Sequence, residues 1–227
     1  MPALGRMNRR MRVSTGIAGL DYVLRGGLIP GRTYLVHGEP GTGKTTLGLH
    51  FLSFDPKSGV LITFAQATDL IRADAASLGL DINELVVLDF SPPAETFTEV
   101  QSYDIFSPAE VEREPISLQI SKTIEGLNPK RIFVDSFGHF LNLAADSFQR
   151  RRLAQSFFRF ATKCGAALIV AADERDCARD VDGVIHLENA TEGRSIQITK
   201  FRGSDFIAGH HPMLLTSEGL QIPLSAA

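Results

Sequence analysis

The chain is 227 residues long, is 44% hydrophobic and carries a formal net charge of −3. These values fit one large globular domain and exclude an overall electrostatic attraction for nucleic acid or anionic membranes, although a local basic patch is compatible with them. The sequence has no apolar run of the ~18 residues that a membrane-spanning helix needs. The segment of residues 1–12 is rich in arginine and lacks the apolar stretch of a signal peptide. We therefore expect a cytoplasmic protein in which Cys164 and Cys177 are thiols.

The first half of the chain alternates between strands and helices. Strands are predicted where β-branched and aromatic residues run together, and helices where apolar residues recur at helical spacing. A short helix near Leu20, capped by Ser14 or Thr15, is expected to come first. The predicted strands are Thr33–His37, Val60–Phe64 and Leu85–Phe90, and the predicted helices are Thr45–Leu52 and Asp69 to about Leu78, the latter capped by Thr68.

The second half begins with an irregular stretch and ends in hairpins. Residues 91–114 are rich in proline, show no periodicity and are predicted to form an irregular excursion. The elements predicted after it are helix Ile116–Leu127, strand Arg131–Asp135, helix Ser147 to about Lys163, strand Ala167–Ala172, a hairpin of Val184–Glu188 with Ser195–Lys200, and short strands near Met213–Thr216 and Leu220–Ile222. This order predicts an α/β fold with a mostly parallel twisted sheet, helices on both faces and an antiparallel C-terminal edge.

A glycine-rich stretch follows the first predicted strand. It reads Gly38-Glu39-Pro40-Gly41-Thr42-Gly43-Lys44-Thr45 and fits the phosphate-binding pattern G-x-x-x-x-G-K-[ST] at every fixed position. Its glycines let the loop N–H groups curl around phosphate oxygens, and the N-terminus of the next helix faces the same anion. We predict that Lys44 reaches the β- and γ-phosphates and that Thr46 completes the nucleotide site. The alternative is a plain glycine-rich turn.

Asp135 closes a predicted apolar strand about 90 residues after the glycine-rich loop. In nucleotide hydrolases with this loop, a carboxylate so placed holds Mg²⁺ through water, and the hydroxyl after the loop lysine, here Thr45, ligates the ion. We therefore predict a Mg²⁺ site at Thr45 and Asp135, with Ser136 either supporting bound water or capping the next turn. The alternative for Asp135 is a strand-end carboxylate that caps a turn.

Taken together, these motifs resemble the RecA-like ATPases of the KaiC family. The resemblance rests on the lead-in Ser14–Gly31, on Gly59–Phe64, on Asp135-Ser136 and on Ile198–Ser204, which carries a K-x-R-G-[ST] pattern. It implies a RecA-like P-loop NTPase domain over residues 13–227 after a flexible basic segment at 1–12. KaiC has two such domains in tandem, whereas the motifs occur once in this chain, so we expect a single-domain member of the family. The resemblance also implies ATP and Mg²⁺ as cofactors and a homo-oligomeric ring, expected to be a hexamer, with ATP at its subunit interfaces.

The resemblance implies a role for Lys200 and Arg202. They are similar to the cationic pair that reaches across a subunit interface to the γ-phosphate of the neighbouring copy. Cations placed there stabilise the charge that builds on the phosphoryl oxygens. From spacing alone, the favoured interpretation of the two residues is ordinary surface charges on an exposed strand.

The chain departs from the family just after the second core strand. KaiC-like ATPases usually carry glutamate there, and this carboxylate orients or activates the attacking water. Here Phe64 is followed by Ala65 and Gln66. Glutamine cannot take a proton as a carboxylate does but can orient water, so we expect ATP binding with slow or impaired hydrolysis. The candidate catalytic residues are Lys44, Gln66, Lys200 and Arg202.

Three classes of function are open from the sequence. The first is a slow ATPase with a signalling or regulatory role, and the second is a regulator that binds nucleotide without turnover and is sensed by a protein partner. The third is a RecA-like DNA recombination mediator, which the acidic chain does not favour. Weaker features are the Arg150–Arg152 run, expected to be a solvated helix face, the surface pair His210-His211, and Ser204 as a weak candidate for phosphorylation.

Overall fold

The computed structural model describes residues 11–92, 108–172, 177–191 and 193–223. Its helices are α1 (Ala18–Val23), α2 (Lys44–Ser53), α3 (Thr68–Ser77), α4 (Pro108–Leu127), α5 (Phe137–Leu141) and α6 (Ser147–Thr162). Its strands are β1 (Thr33–His37), β2 (Gly59–Thr63), β3 (Val86–Asp89), β4 (Arg131–Asp135), β5 (Ala167–Ala172), β6 (Gly183–Ala190), β7 (Gly193–Phe201), β8 (His210–Thr216) and β9 (Gly219–Gln221). Most of the predicted basic segment, residues 1–10, lies outside this range.

The described strands form one sheet in the order β3-β2-β4-β5-β1-β6-β7-β8-β9. All neighbours from β3 to β6 are parallel, and the pairs β6–β7, β7–β8 and β8–β9 are antiparallel. The predicted α/β fold with an antiparallel C-terminal edge is therefore confirmed. Because the parallel strands all end on the same side, we call that side of the sheet the carboxyl edge and the side where they begin the amino edge.

Apolar side chains are buried on both faces of the sheet. Along β4, Phe133 packs into one hydrophobic cluster, whereas Ile132 and Val134 pack into a second one. Successive strand residues point to opposite faces, so each cluster occupies one face. α2 covers the first cluster through Phe51 and α6 covers the second through Phe158. The prediction of helices on both faces is confirmed.

A polar network holds the segment before β1 in place. Thr15 donates from its backbone N–H and its hydroxyl to Asp21 Oδ1, both at 2.7 Å, and the Ser14 hydroxyl donates to Asp21 Oδ2. Arg131, at the start of β4, is 4% exposed and donates to the Ser14 carbonyl at 2.6 Å. The prediction that Ser14 or Thr15 caps α1 is wrong. Ile17 is the N-cap residue and no side chain caps the helix, because both hydroxyls bind Asp21.

α4 begins earlier than the sequence pattern indicated. Residues 108–114, predicted to be irregular, form its first turns, and Pro115 lies inside the helix. Pro108 suits the first helical position, and the glutamates that follow favour a helix. Pro115 obscured this signal, because proline usually ends a helix. The rest of the predicted excursion, residues 93–107, lies outside the described range.

Two further differences lie at strand ends. Thr68 does not cap α3, because it is the first helical residue after the N-cap Ala67. Its N–H and hydroxyl instead donate to Asp89 Oδ2 at 2.7 and 2.8 Å, which ties α3 to the end of β3. The short helix α5, which the sequence pattern did not indicate, follows β4 and buries Phe137 and Phe140 in the cluster under α6.

Candidate functional site

The glycine-rich loop, residues 38–43, joins β1 to α2 at the carboxyl edge. Gly43 is the N-cap of α2 and has φ 103°, a left-handed conformation that other residues rarely adopt. A Cβ on Gly38 would lie 2.2 Å from the Leu187 carbonyl oxygen, so only glycine lets the loop pass β6 this closely. The loop thus turns over the N-terminus of a ten-residue helix, whose first N–H groups and positive dipole end favour an anion.

Hydrogen bonds within the loop fix its shape. The Lys44 ammonium donates to the carbonyls of Gly38 and Glu39 at 2.6 and 3.0 Å. The Thr42 hydroxyl donates to the Glu39 carbonyl at 2.8 Å, and Thr42 itself is buried. Glu39, Pro40 and Gly41 form the exposed tip. The structure therefore brings the predicted phosphate-binding residues into one compact loop that Lys44 spans.

Two residues of the C-terminal strands also contact this loop, and sequence reasoning missed both. Arg194 on β7 donates from Nη1 to the Gly41 carbonyl at 2.9 Å. Leu220 on β9 is 2% exposed, and its Cδ1 would lie 3.5 Å from a Cβ on Gly43. The β6–β7 hairpin itself was predicted, but the local sequence pattern holds no signal for where Arg194 and Leu220 come to lie relative to the loop.

Thr45 and Asp135 meet beside the loop. The Thr45 hydroxyl donates to Asp135 Oδ2 at 3.1 Å and lies 3.3 Å from Oδ1. Asp135 is buried at the carboxyl end of β4, with 6% of its surface exposed. Gly48 permits this approach, because the absence of a Cβ lets α2 rest directly on the Phe133 ring of β4. The two predicted metal-binding residues are therefore neighbours.

The chemistry of this pair suits Mg²⁺. The ion prefers oxygen ligands, keeps several waters, and is commonly held by one or two protein oxygens together with phosphate oxygens. The hydroxyl of Thr45 and the carboxylate of Asp135 match that need. Within the described part of the chain, no group of three or more His, Cys, Asp or Glu residues could hold a metal by itself. The Ser136 N–H donates to Asp135 Oδ1 at 3.1 Å, whereas the Ser136 side chain does not cap α5.

Gln66 lies at the carboxyl edge, three residues beyond a strand position that pairs with Asp135. Thr63, the last residue of β2, is that partner, and its hydroxyl donates to the Gln66 carbonyl at 2.9 Å. The Gln66 side-chain amide is directed at α3, where Nε2 donates to Asp74 Oδ2 at 2.8 Å. Gln66 is therefore on the correct edge for a role in hydrolysis, but its amide is engaged by a carboxylate.

Lys200 and Arg202 lie at the amino edge, away from the glycine-rich loop of the same chain. The backbone N–H of Arg202 donates to the Asp182 carbonyl, and the backbone N–H of Asp182 donates to the Thr33 carbonyl. These bonds place Arg202 level with the start of β1. The loop begins after His37, at the other end of that strand, about 13 Å further along at ~3.3 Å per residue. The predicted cationic pair and the loop are thus separated by the length of the strand.

The Lys200 ammonium is held at the amino edge by the turn that precedes β6. Its Nζ donates to the carbonyls of Ala178 and Arg179 at 2.9 and 3.3 Å. Partial burial, and after it the positive charge of Arg202, lower the pKa of Lys200 from its usual value. Lys200 is therefore part of a crowded cationic surface and not an isolated strand charge.

The weaker sequence features make ordinary local contacts. Arg151 forms an ion pair with Asp180 at 3.0 Å, and the Arg150 side chain is exposed, as expected for a solvated helix face. His210 Nδ1 lies 3.8 Å from a Glu188 carboxylate oxygen at the surface. Cys164 and Cys177, which were predicted to be thiols, do not form a disulfide. Across the described residues, no helix is both long and apolar enough to cross a membrane.

Arg12, the last residue of the predicted basic segment, is docked on the domain. It donates to the Gly27 carbonyl at 3.1 Å and to the Ser204 hydroxyl at 2.5 Å. Its guanidinium also lies 5.8 Å from the centre of the Phe201 ring. Ser204, the weak candidate for phosphorylation, is therefore in contact with the start of the domain.

Known proteins of one family match almost the whole chain. The family model for the KaiC ATPase matches residues 13–226. The chain is 30% identical over an alignment of 253 residues to the circadian clock oscillator protein KaiC of Parasynechococcus marenigrum strain WH8102, covering 99% of this chain and 48% of the relative. It is 31% identical over 242 residues to KaiC of Synechococcus elongatus strain PCC 7942, covering 95% and 45%. The chain thus spans about half the length of these curated relatives.

Proposed function

The chain belongs to the KaiC family of ATPases, and from this premise we propose that it binds Mg-ATP at the interfaces between identical subunits of a ring. Nucleotide binding itself follows from the family and from the intact glycine-rich loop. The ring is expected to be a hexamer that hydrolyses ATP slowly. Its role in the cytoplasm would be regulatory, with a protein partner sensing the nucleotide state.

Each predicted site residue has a task in this proposal. The loop N–H groups and the α2 N-terminus bind the phosphates, and Lys44 exchanges its loop carbonyls for β- and γ-phosphate oxygens. Thr45 and Asp135 hold Mg²⁺, which neutralises charge on the phosphates when it is bound. Gln66 orients water without accepting its proton, which is why hydrolysis is slow.

The observation that carries the proposal is the separation of Lys200 and Arg202 from the loop of their own chain. A cation can stabilise the charge on a transferring phosphoryl group only when it touches that group. Arg202 lies level with Thr33, at the amino edge, whereas the loop lies at the carboxyl edge. If a second copy docked its carboxyl edge against this amino edge, Lys200 and Arg202 of the first copy would meet the nucleotide that the second copy binds.

The proposal is tested by measuring ATP binding, phosphate release and assembly on the same samples. We expect the wild type to bind ATP with Mg²⁺ and to increase in light-scattering mass when ATP is added. Lys44→Ala should lose both ATP binding and the increase in mass. Arg202→Ala should reduce phosphate release more than it reduces ATP binding. A wild type that binds no ATP in the presence of Mg²⁺ contradicts the proposed function outright.

A second candidate, a regulator that never turns ATP over, is favoured by the contact between Gln66 and Asp74. The amide Nε2 of Gln66 donates to Asp74 at 2.8 Å, which directs it along α3. The nearby carboxylate of Asp89 accepts hydrogen bonds from Thr68 and Ser91, so it is already committed to the ends of α3 and β3. In this alternative, ATP acts only as a structural ligand of the assembly.

Replacement of Gln66 separates the two candidates. Gln66→Glu restores the carboxylate usual in the family, and repulsion from Asp74 should turn it away from α3. If the wild type releases phosphate slowly and Gln66→Glu releases it faster, by about 10²–10⁴-fold, the slow ATPase is supported. If the wild type releases none and the variant does, the protein is a nucleotide-dependent regulator. No change in the variant would show that position 66 does not meet the attacking water.

A further inference from the structure

A positively charged cavity opens at the amino edge of the sheet. It has a volume of about 300 Å³ and lies between α6 and the turn before β6. Three arginines line it: Arg159 from α6, Arg179 from the turn, and Arg202 from the segment after β7. All three are exposed, and none of their side chains forms a hydrogen bond or ion pair with another residue in the described ranges. Three arginines thus line one opening.

The two carboxylates of the cavity do not balance these charges. Asp180 accepts hydrogen bonds from Arg151 and Gln155, which lower its pKa against the opposing effect of burial. Asp182 accepts a bond from Arg32 at 2.7 Å. Each acid is therefore already paired with an arginine outside the trio, so the cavity keeps its positive charge. Uncompensated like charges at close range are unfavourable unless an anion joins them.

Lys200 holds the backbone of Arg179 beside this cavity. The Lys200 ammonium donates to the carbonyls of Ala178 and Arg179, so it holds the backbone from which the Arg179 side chain extends. Arg202 follows Lys200 by two residues and lines the same cavity. The two residues that the family pattern singles out are therefore joined physically to a third cation that lies some twenty positions earlier in the chain.

We propose that Arg179 acts with Arg202 on the nucleotide of the neighbouring subunit, where its guanidinium binds phosphate oxygens that the neighbour's loop presents. This inference rests on the proposed function, because it requires the amino edge of one copy to face the loop of the next. A guanidinium fork suits phosphate, since it donates two parallel hydrogen bonds to adjacent oxygens. Lys200 then has a second task, which is to position Arg179.

Mixing experiments test whether Arg179 acts across the interface. Arg179→Ala alone should weaken the binding of a fluorescent ATP analogue, or slow phosphate release, by about tenfold to a hundredfold. Arg150→Ala, a matched loss of an exposed arginine on α6, should leave both unchanged. When Arg179→Ala subunits are mixed with Lys44→Ala subunits, the analogue binding or phosphate release lost in Arg179→Ala should return. An intact loop in one variant then meets an intact Arg179 in the other.

The same mixture made with Arg202→Ala distinguishes the possible failures. If Arg202→Ala is rescued by Lys44→Ala and Arg179→Ala is not, Arg179 acts within its own chain and the inference is overturned. If Arg179→Ala alone equals Arg150→Ala, the inference is overturned as well. If neither mixture recovers, the arrangement of subunits in the proposed function is wrong. Arg179→Lys, which keeps the charge but not the fork, should give an intermediate loss.

Discussion

Gly48 on α2 rests on the Phe133 ring of β4, and a Cβ placed on Gly48 would lie 2.1 Å from that ring. The contact sets the spacing between the helix that follows the glycine-rich loop and the strand that ends in Asp135. It explains how Thr45 and Asp135 come within 3.1 Å of each other. A residue outside every recognisable motif thus determines the geometry of the predicted metal site.

Gly48→Ala should therefore destabilise the fold and separate the predicted Mg²⁺ ligands. Overpacking of a filled core typically costs about 1–3 kcal/mol, which outweighs the gain of about 1 kcal/mol from replacing a helical glycine. Gly126→Ala is the matched control, because this α4 glycine has nothing within 4 Å of an added Cβ. Chemical denaturation should show a loss for the first variant and none for the second. Equal stabilities would contradict the close contact.

Asp135→Asn should weaken the part of ATP affinity that depends on Mg²⁺. Asparagine keeps the size of the side chain and can still accept a bond from Thr45, but it carries no charge for the ion. Loss of a carboxylate that holds the ion through water typically weakens metal affinity by about 10- to 100-fold. ATP titrations in Mg²⁺ and in EDTA measure the effect, which should vanish in EDTA. Asp146→Asn, at the N-cap of α6, should bind ATP as the wild type does.

Arg194→Ala should weaken nucleotide binding without unfolding the protein. Arg194 braces the exposed loop tip through the Gly41 carbonyl at 2.9 Å, and removal of one such bond typically costs about 0.5–1.5 kcal/mol, or about twofold to tenfold in affinity. Fluorescent nucleotide titration checks this value. An affinity loss with an unchanged melting temperature is expected, whereas unchanged affinity would mean that the loop needs no brace from β7.

His50 should make the fold less stable in mild acid. Its Nε2 accepts a hydrogen bond from the Leu220 N–H at 2.8 Å, which requires the neutral ring, and burial lowers the pKa of His50 below 6.5. Between the lowered pKa and the unfolded value, the unfolded chain binds the proton more readily. The stabilisation is therefore complete above pH 6.5 and declines as the pH falls through that value toward the folded-state pKa.

The pH effect is measured as the free energy of unfolding at about pH 8 and at about pH 5.5, on either side of the ordinary histidine pKa. The wild type should lose stability at the lower pH. His50→Gln, which has an oxygen that can accept the same bond but does not titrate in this range, should lose less. Equal losses in both proteins would assign the acid sensitivity to other groups.

The glycine-rich loop and the parallel core were predictable because their signals are local. The pattern from Gly38 to Thr45 specifies a loop between a strand and a helix, and continuous apolar runs specify buried strands. The strand that carries Asp135 was predicted with the bounds that it has in the structure. Such features depend on neighbouring residues in the chain, which a sequence displays directly.

The features that sequence reasoning missed depend on contacts between distant segments. Arg194 reaches Gly41 across 153 positions, and Arg131 reaches Ser14 across 117. The place of Arg202 at the amino edge depends on strand pairing across β6 and β7, which includes an irregularity between Val184 and Ile185. The β6–β7 hairpin was predicted from its alternating pattern, but no periodicity records its register, its irregularity or the long-range contacts. α4 was misjudged for a different reason, since Pro115 has the opposite local preference from the helix that contains it.

The placement of the loop and the cations on opposite edges gives the proposed assembly a direction. Each copy would receive arginines on one side and supply them on the other, so every interface would be heterologous. A linear stack built this way always leaves one terminal loop without a donor and one terminal cation cluster without a phosphate. Only closure completes every site. Turnover per subunit in such an assembly would report how many of its subunits belong to closed rings.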